Sequence, residues 1–417
     1  MSDPKYSIIL PVYNGLPYLE TAVASVLASN RNDFELLVSD DHSTDGSIQY
    51  LESIQDSRLR LLRTPVRMSM AEHWEWALSH CIGSWGIFLG QDDALQGYFF
   101  DHADTLTAEA AKRSLRVIAA RRSYIFWPGC EADFPQRVQY FALNRTFIRS
   151  TKMDCFSALF LGKKYHELPQ MYTNSLFHMS LIDEARTLQG GKVFTCHPQD
   201  ANLAALAVLF EKSYVRSEIP LGWVGTSPSS AGLAIAKADA DVKTIGDDLA
   251  SQTKLADAYL NSIVSSEIMY PKFAGDFKLA NEAIYLWQAL VVVSEKLIPN
   301  VYRLLKGKPA VKLLFSSVLA ENERVWARGP RWSGFLDLIR INRLSLINLR
   351  VVGLPFRMMF ALRKIAMAAL RLGVEKGPAQ LAGVAGFAIS AKKSLNLDME
   401  FLNQRTQLLF ERLEARK

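Results

Sequence analysis

An α/β fold, with a mainly parallel sheet flanked by helices and an α-helical C-terminal region, is predicted by three features of the sequence. Short apolar runs alternate with helically spaced segments through the first hundred residues. Acidic residues recur just past the ends of those runs. From about residue 240 onward glycine and proline thin out and amphipathic stretches take over. The 417 residues are enough for two or three domains, and 49% hydrophobic with 22% charged residues describes a chain that folds.

The apolar run YSIILPVY (6–13) reads as the first strand; Asn14, Gly15 and Pro17 then turn the chain into a helix with Leu19, Val23, Val26 and Leu27 on one face. FELLVSD (34–40) is a second strand, after which Ser43 or Thr44 is placed to cap a helix. RLRLLRT (58–64) is the third strand, residues 70–82 a helix and WGIFLG (85–90) the fourth strand. RRSYIFWPG (121–129) reads as a strand and turn, and IPLGWVGTSPSSAG (219–232) as a Gly/Ser/Pro loop. Further on, DDLASQTKLADAYLNSIVSSEI and LANEAIYLWQALVVVSEKLI read as amphipathic helices.

In a parallel α/β sheet the ligand sits at the carboxyl ends of the strands. Pro11 to Asn14, the pair Asp40 and Asp41, Arg67, and the pair Asp92 and Asp93 all fall there. One aspartate after a strand is an ordinary helix cap, but adjacent carboxylates repel, and two such pairs on one rim call for a ligand that uses them. No GxGxxG follows the first strand and no GxxxxGK[ST] occurs, so dinucleotide and P-loop chemistry lack their phosphate cradle. A divalent cation at Asp92 and Asp93 is the alternative neutraliser for a phosphorylated ligand.

SIILPVYNGLPYLETAVASVL, LLVSDDHSTDGS and IFLGQDDAL, in this order and spacing, resemble the successive signatures of glycosyltransferase family 2, inverting GT-A enzymes that use nucleotide-sugar donors. The resemblance implies that Pro11 and Tyr13 flank the nucleotide base, that Asp40 or Asp41 bonds the base or ribose, and that Asp92 and Asp93 hold Mn2+ or Mg2+ against the donor diphosphate. It places Arg67 toward the diphosphate and His73 where many relatives carry Asn. One departure stands out: the family often opens this acidic motif with a carboxylate, whereas here the leading residue is Gly90.

Residues 174–209 resemble the family's second segment, in which an acid opens a helix beneath the acceptor, and Asp200 takes the catalytic-base position. Its other reading is the N-cap of the helix after Pro198. Within 219–232, Trp223 is placed to stack on a sugar, with Thr226 and Ser227 near hydroxyls or phosphates. The expected division is a nucleotide-sugar-binding half (1–105), an acceptor-binding half (106–232) and a basic helical region (233–417).

Residues 301–380 carry 15 Lys or Arg against 4 Asp or Glu, a net +11, so that the rest of the chain sums to −5 within a total of +6. A basic amphipathic stretch such as LPFRMMFALRKIAMAALRLG (354–373) suits an anionic membrane face, and equally a helix packed on its own domain or on a second copy of the chain. Nucleic acid is not an expected partner, because no known binding module is present and the acidic rim would repel phosphates. The uncharged run 377–391 is too short to span a bilayer. Four scattered cysteines and no leading signal segment point to reduced thiols and a cytoplasmic protein, peripheral on the inner membrane face.

The expected reaction is inverting transfer of a sugar from a nucleotide diphosphate to a glycan or lipid-linked acceptor in surface polysaccharide synthesis. The rival is a non-catalytic scaffold that keeps the fold, a reading sustained by Gly90. A sugar nucleotidyltransferase would need a Gly-rich, basic first loop, which VYNGLPYLE is not.

Overall fold

The computed structural model describes residues 4–134, 136–161, 163–196, 198–230, 282–326, 336, 339, 343–362, 384–390 and 399–415. The expected α/β class, a sheet flanked by helices and followed by further helices, is the one observed. Strands β1 (Tyr6–Val12), β2 (Phe34–Asp40), β3 (Leu59–Arg63) and β4 (Trp85–Phe88) alternate with helices α1 (Tyr18–Leu27), α2 (Ser47–Glu52) and α3 (Met70–Ser79). The four strands pair in parallel in the order β3-β2-β1-β4, with Val12 opposite Asp40 and Asp40 opposite Arg63. This register puts the ends of β1, β2 and β3 level on one rim.

After β5 (Ala94–Leu95) and helix α4 (Phe99–Ala111), the chain forms β6 (Val117–Ala120), β7 (Ser123–Phe126), β8 (Gln136–Leu143) and β9 (Thr146–Ser150). Helix α5 (Thr151–Phe160), β10 (Ser175–His178), α6 (Met179–Leu188), α7 (Gln199–Phe210), β11 (Ser213–Ser217) and β12 (Gly222–Thr226) follow. Strand β10 enters antiparallel between β4 and β6, and the eight-stranded sheet closes with β11 and β9. A second, five-stranded sheet runs β13-β8-β7-β12-β5, where β13 is Val384–Ser390. The 219–232 stretch expected as loop therefore contains a strand: Gly222–Thr226 pairs in parallel with β7, and its glycines leave room for the backbones of Ala94, Asp92 and Thr173.

The expected cap of α2 is also different. Gly46, at φ 96°, is its N-cap, and the preceding polar residues serve the β1–α1 turn instead. Ser43 Oγ accepts from the Asn14 N–H (2.9 Å), Ser47 Oγ from Gly15 N–H (3.0 Å) and Asp45 from Leu16 N–H (2.9 Å). Helix α3 begins with a reciprocal capping box between Ser69 and Glu72.

Two apolar layers cover the large sheet. One joins α1, α2 and α4 through Val23, Leu51 and Leu106. The other joins α3, α5, α6 and α7 to the helix Glu282–Leu297 and to Lys308–Trp326, with Phe88, Leu206, Trp287 and Phe315 in one continuous cluster. Apolar burial at about 25 cal/mol per Å² in this shared cluster ties the helices Glu282–Leu297 and Lys308–Trp326 to the sheet. LANEAIYLWQALVVVSEKLI forms the expected helix over Glu282–Leu297, while DDLASQTKLADAYLNSIVSSEI lies outside the described residues. No helix among the described residues is long and apolar enough to cross a membrane. All four cysteines are free thiols.

Candidate active site

The Asp92–Asp93 turn sits where β4, β12 and the segment 165–174 meet. The carboxylate of Asp93 is fully buried and spent on protein donors: it accepts from Gly90 N–H (3.0 Å), Gly225 N–H (2.6 Å), and the hydroxyls of Thr173 and Tyr172. Burial, reinforced by the neighbouring Asp92 charge, raises its pKa to about 6 against the pull of those donors. Asp92 is half-buried, and its Oδ2 accepts from Ser227 Oγ (2.8 Å) and Ser230 Oγ (2.5 Å).

The two aspartates thus differ in kind, which corrects the expectation that both are metal ligands. Asp93 has no face left for an ion; it fixes the turn. Asp92 faces hydroxyls that can rotate away, and as a single carboxylate it fits a divalent cation whose other ligands are phosphate oxygens and water. Among the described residues no three His, Cys, Asp or Glu side chains gather as a self-sufficient metal site.

Gly90 has a steric reason. A β-carbon there would overlap the Tyr172 hydroxyl and press on the Asp93 carboxylate. The space that a leading acid would enter is filled by a tyrosine from the far segment. Gly225 is constrained similarly by the Asp92 backbone.

At the ends of β1, β2 and β3 the rim residues Tyr13, Asp40, Asp41 and Arg67 come together. The Arg67 guanidinium lies over the exposed Tyr13 ring, 3.7 Å from its centroid, and pairs with Asp41. Asp41 also accepts from Thr64 Oγ1 (2.8 Å) and Met68 N–H (3.0 Å), so it holds the loop after β3. Asp40 is buried next to it, accepts from Ser43 N–H at 3.3 Å and faces Arg63 at 3.8 Å. Pro11, opposite Ser39 in the sheet, lines the same edge, and Gln91 Oε1 receives the Tyr13 N–H (3.2 Å), linking the two loops.

His73 does not reach this rim. It is buried under β2, with Nε2 2.6 Å from Ser39 Oγ and 2.9 Å from Ser39 O, and burial lowers its pKa so that the ring is neutral. Its role is to support the strand end that carries Asp40 and Asp41, which corrects the expected nucleotide contact.

Trp223 is corrected too: it is completely buried, packed on Tyr140, and offers no face to a sugar. Thr226 O accepts from Trp127 N–H (2.8 Å), and Ser227 touches Asp92, so the end of β12 lies beside that carboxylate. The aromatic residues that border Asp92 are others: Trp127, whose Nε1 donates to the Asp92 carbonyl (2.8 Å), and Tyr18, tilted against the indole with ring centroids 4.8 Å apart.

Asp200 lies in the first turn of α7, one residue past its first position; the N-cap is Pro198, which excludes the capping reading. Its two carboxylate oxygens accept from the Tyr165 hydroxyl at 3.1 and 3.0 Å. Burial raises its pKa, partly offset by the Tyr165 bond and by the Arg122 charge. Arg122 donates to Gln170 Oε1, and Gln170 Nε2 donates to the Tyr165 carbonyl (3.4 Å). Around Tyr165, Glu282 at the start of the C-terminal helices pairs with His166 (3.1 Å) and Lys164 (3.5 Å).

Segment 165–174 therefore joins both acidic centres: Tyr165 at Asp200, Tyr172 and Thr173 at Asp93, with Met171 and Thr173 at positive φ (52° and 40°). Sequence reading passed over Arg122, Tyr165 and Tyr172; the signal open to it was the polar cluster QMYTNS (170–175) just before β10.

Residues 7–177 match the family Glycosyl transferase family 2. An uncharacterized glycosyltransferase of Haemophilus influenzae is 37% identical over 95 residues, 22% of this chain and 38% of that protein. The Escherichia coli protein WfgD, a UDP-Glc:alpha-D-GlcNAc-diphosphoundecaprenol beta-1,3-glucosyltransferase, is 34% identical over 93 residues, 22% of this chain and 37% of that protein. The chain thus spans less than two fifths of the length of either relative. Among solved structures, S. aureus TarS 1–349 in complex with UDP-GlcNAc aligns over 85% of this chain and 89% of that one, at 14% identity and TM-score 0.43.

Proposed function

We propose that this chain, which belongs to glycosyl transferase family 2 through residues 7–177, transfers a sugar from a nucleotide diphosphate, with inversion, to a hydroxyl of a glycan or lipid-linked saccharide in bacterial surface polysaccharide synthesis. The observation that carries this reading is the junction of two acidic centres by one segment: Asp92 beside Ser227, and Asp200 beneath Tyr165.

Asp200 is the general base. Its carboxylate takes the proton of the acceptor hydroxyl while that oxygen bonds to the anomeric carbon and the bond from the same carbon to the leaving diphosphate breaks. A pKa raised by burial suits a base, and Tyr165 keeps its oxygens oriented. Asp92 would hold Mn2+ or Mg2+, which when bound neutralises the departing diphosphate. The Ser227 hydroxyl next to it meets phosphate or sugar oxygens, with Thr226 contributing backbone. Pro11 and Tyr13 flank the base, Asp40 or Asp41 accepts its ring N–H, and Arg67 swings from Asp41 toward the diphosphate.

A lipid-linked acceptor places the protein on the inner membrane face, and the divisions 1–105, 106–232 and 233–417 are then blocks of donor binding, acceptor binding and attachment. The activity of the E. coli relative, on a diphosphoundecaprenol-linked sugar, supports that acceptor class.

Calorimetric titration of UDP, GDP and dTDP with and without Mn2+ tests the donor half. One nucleotide should bind, more tightly with metal, and Asp92→Ala should abolish the metal-dependent part. Binding of none of the three by the wild type would overturn the transferase reading and favour a scaffold. Asp200→Asn should leave nucleotide binding intact while lowering kcat by roughly 10²–10⁴-fold.

A further inference from the structure

Residues 346–362 carry an apolar face that no other described residue covers. Leu346–Val352 and 354–362 are helical, and the hydrogen bonds Gly353 N–H to Leu349 O (2.8 Å) and Arg357 N–H to Gly353 O (3.0 Å) carry the helix through the turn between them. Leu349 and Phe356 pack inward on the shared core, and Phe360 is buried on the same side. Ile347, Val351, Leu354, Met358 and Leu362 are spaced by four, three, four and four residues, a stripe roughly 80° wide on the opposite side at about 100° per residue. All five are exposed, Ile347 by 73% and Met358 by 71%.

Large apolar residues exposed in a continuous stripe mark a contact surface rather than the scatter found on any protein. The charges around this one select the partner. Arg350 and Arg357 flank it and are aligned by Glu323, and Lys312 of the neighbouring helix bonds Asn348 Oδ1 at 3.2 Å beside Ile347. Across 299–326 and 343–362 there are 8 Lys or Arg against 2 Glu. A second copy docked on this face would bring like charge against like charge, and Coulomb repulsion opposes it. An anionic lipid surface takes up both features: headgroups meet the basic flank and acyl chains the stripe.

We propose that the helix 346–362 lies in the plane of an anionic lipid bilayer, with Ile347, Val351, Leu354, Met358 and Leu362 entering it and Lys312, Arg350 and Arg357 at the headgroups. The proposal does not depend on the transfer reaction, because attachment is read without donor or acceptor.

The test is flotation of the full chain with vesicles of phosphatidylcholine alone or mixed with phosphatidylglycerol, for the wild type, Ile347→Ser with Met358→Ser, and Lys312→Ala with Arg350→Ala. Wild type should float with the anionic vesicles and much less with the neutral ones. The stripe variant should lose at least ten-fold in bound fraction at unchanged Tm, and the charge variant should lose binding selectively on anionic vesicles. Failure of the wild type to float, or equal flotation of the stripe variant, overturns the proposal. So does a stripe variant that is misfolded or markedly less stable, since the stripe is then covered by another part of this chain. A concentration-dependent dimer broken by the stripe variant overturns it in favour of self-association.

Discussion

At Gly90 any side chain would displace the Tyr172 hydroxyl that helps hold Asp93. Gly90→Ala should therefore cost about 1–3 kcal/mol of stability and weaken metal-dependent nucleotide binding, with part of the loss recovered when Tyr172→Phe removes the overlapping oxygen. Thermal unfolding of the single and double variants checks this, and an unperturbed single variant would contradict the crowding. The Asp93 carboxyl, at about 6, is raised above its ordinary value, so between about pH 4 and 6 the folded state binds more protons than the unfolded one. That stability contribution is present at low pH and lost as pH rises through 6. Asp93→Asn should flatten this part of the stability profile relative to wild type, as measured by denaturant titration at pH 4, 5 and 6.5. Trp223→Ala should cost about 3–5 kcal/mol through the cavity it leaves, with no selective rise in acceptor KM, since the indole is core rather than sugar platform.

The element that organises the site is segment 165–174, which carries no long regular structure. Its short helical turn Tyr165–Glu167 presents the tyrosine to Asp200. Removing that hydrogen bond removes an influence that lowers the Asp200 pKa. Tyr165→Phe should accordingly shift the acid limb of the kcat profile to higher pH, and lower kcat at neutral pH by roughly ten-fold, while leaving nucleotide affinity unchanged. Glu282 acts one step further away by pairing with His166 and Lys164. Glu282→Ala should lower kcat several-fold in the same sense as Tyr165→Phe, and steady-state kinetics with a nucleotide-binding control would separate this from damage to the donor rim.

On the scale of the molecule, the C-terminal helices are part of the catalytic body's core and not an appendage to it. Ile9 and Phe88 of the sheet, Leu206 of α7 and Trp287 and Phe315 of the later helices belong to one buried cluster. Elements that share a core unfold together. Calorimetry should thus show one cooperative transition spanning the expected blocks 1–105, 106–232 and 233–417, and two resolved transitions would contradict the shared core. The same arrangement turns the outer face of 346–362 away from the core, and any attachment made through it is transmitted rigidly to the site.

Local pattern was enough for much of this. The alternation of apolar runs and amphipathic helices reads directly as β1–β4 with α1–α3, because β1, β2 and β4 are buried on both faces and the turns carry Gly, Pro or Asp signals. Asp92 and Asp200 were legible because a carboxylate just past a strand end or in the first turn of a helix is a local feature. What each side chain does was not local. Asp92 and Asp93 are neighbours with the same chemistry, yet only packing against Gly225, Thr173 and Tyr172 makes one a buried clamp and leaves the other open. Gly90 looks like a missing acid until a tyrosine 82 residues away is found in its space. His73 and Trp223 have residue types that suit a ligand, and only their burial shows that they hold the scaffold. Contacts across such separations in the chain are fixed by the closing of the sheet, and no window of sequence contains them.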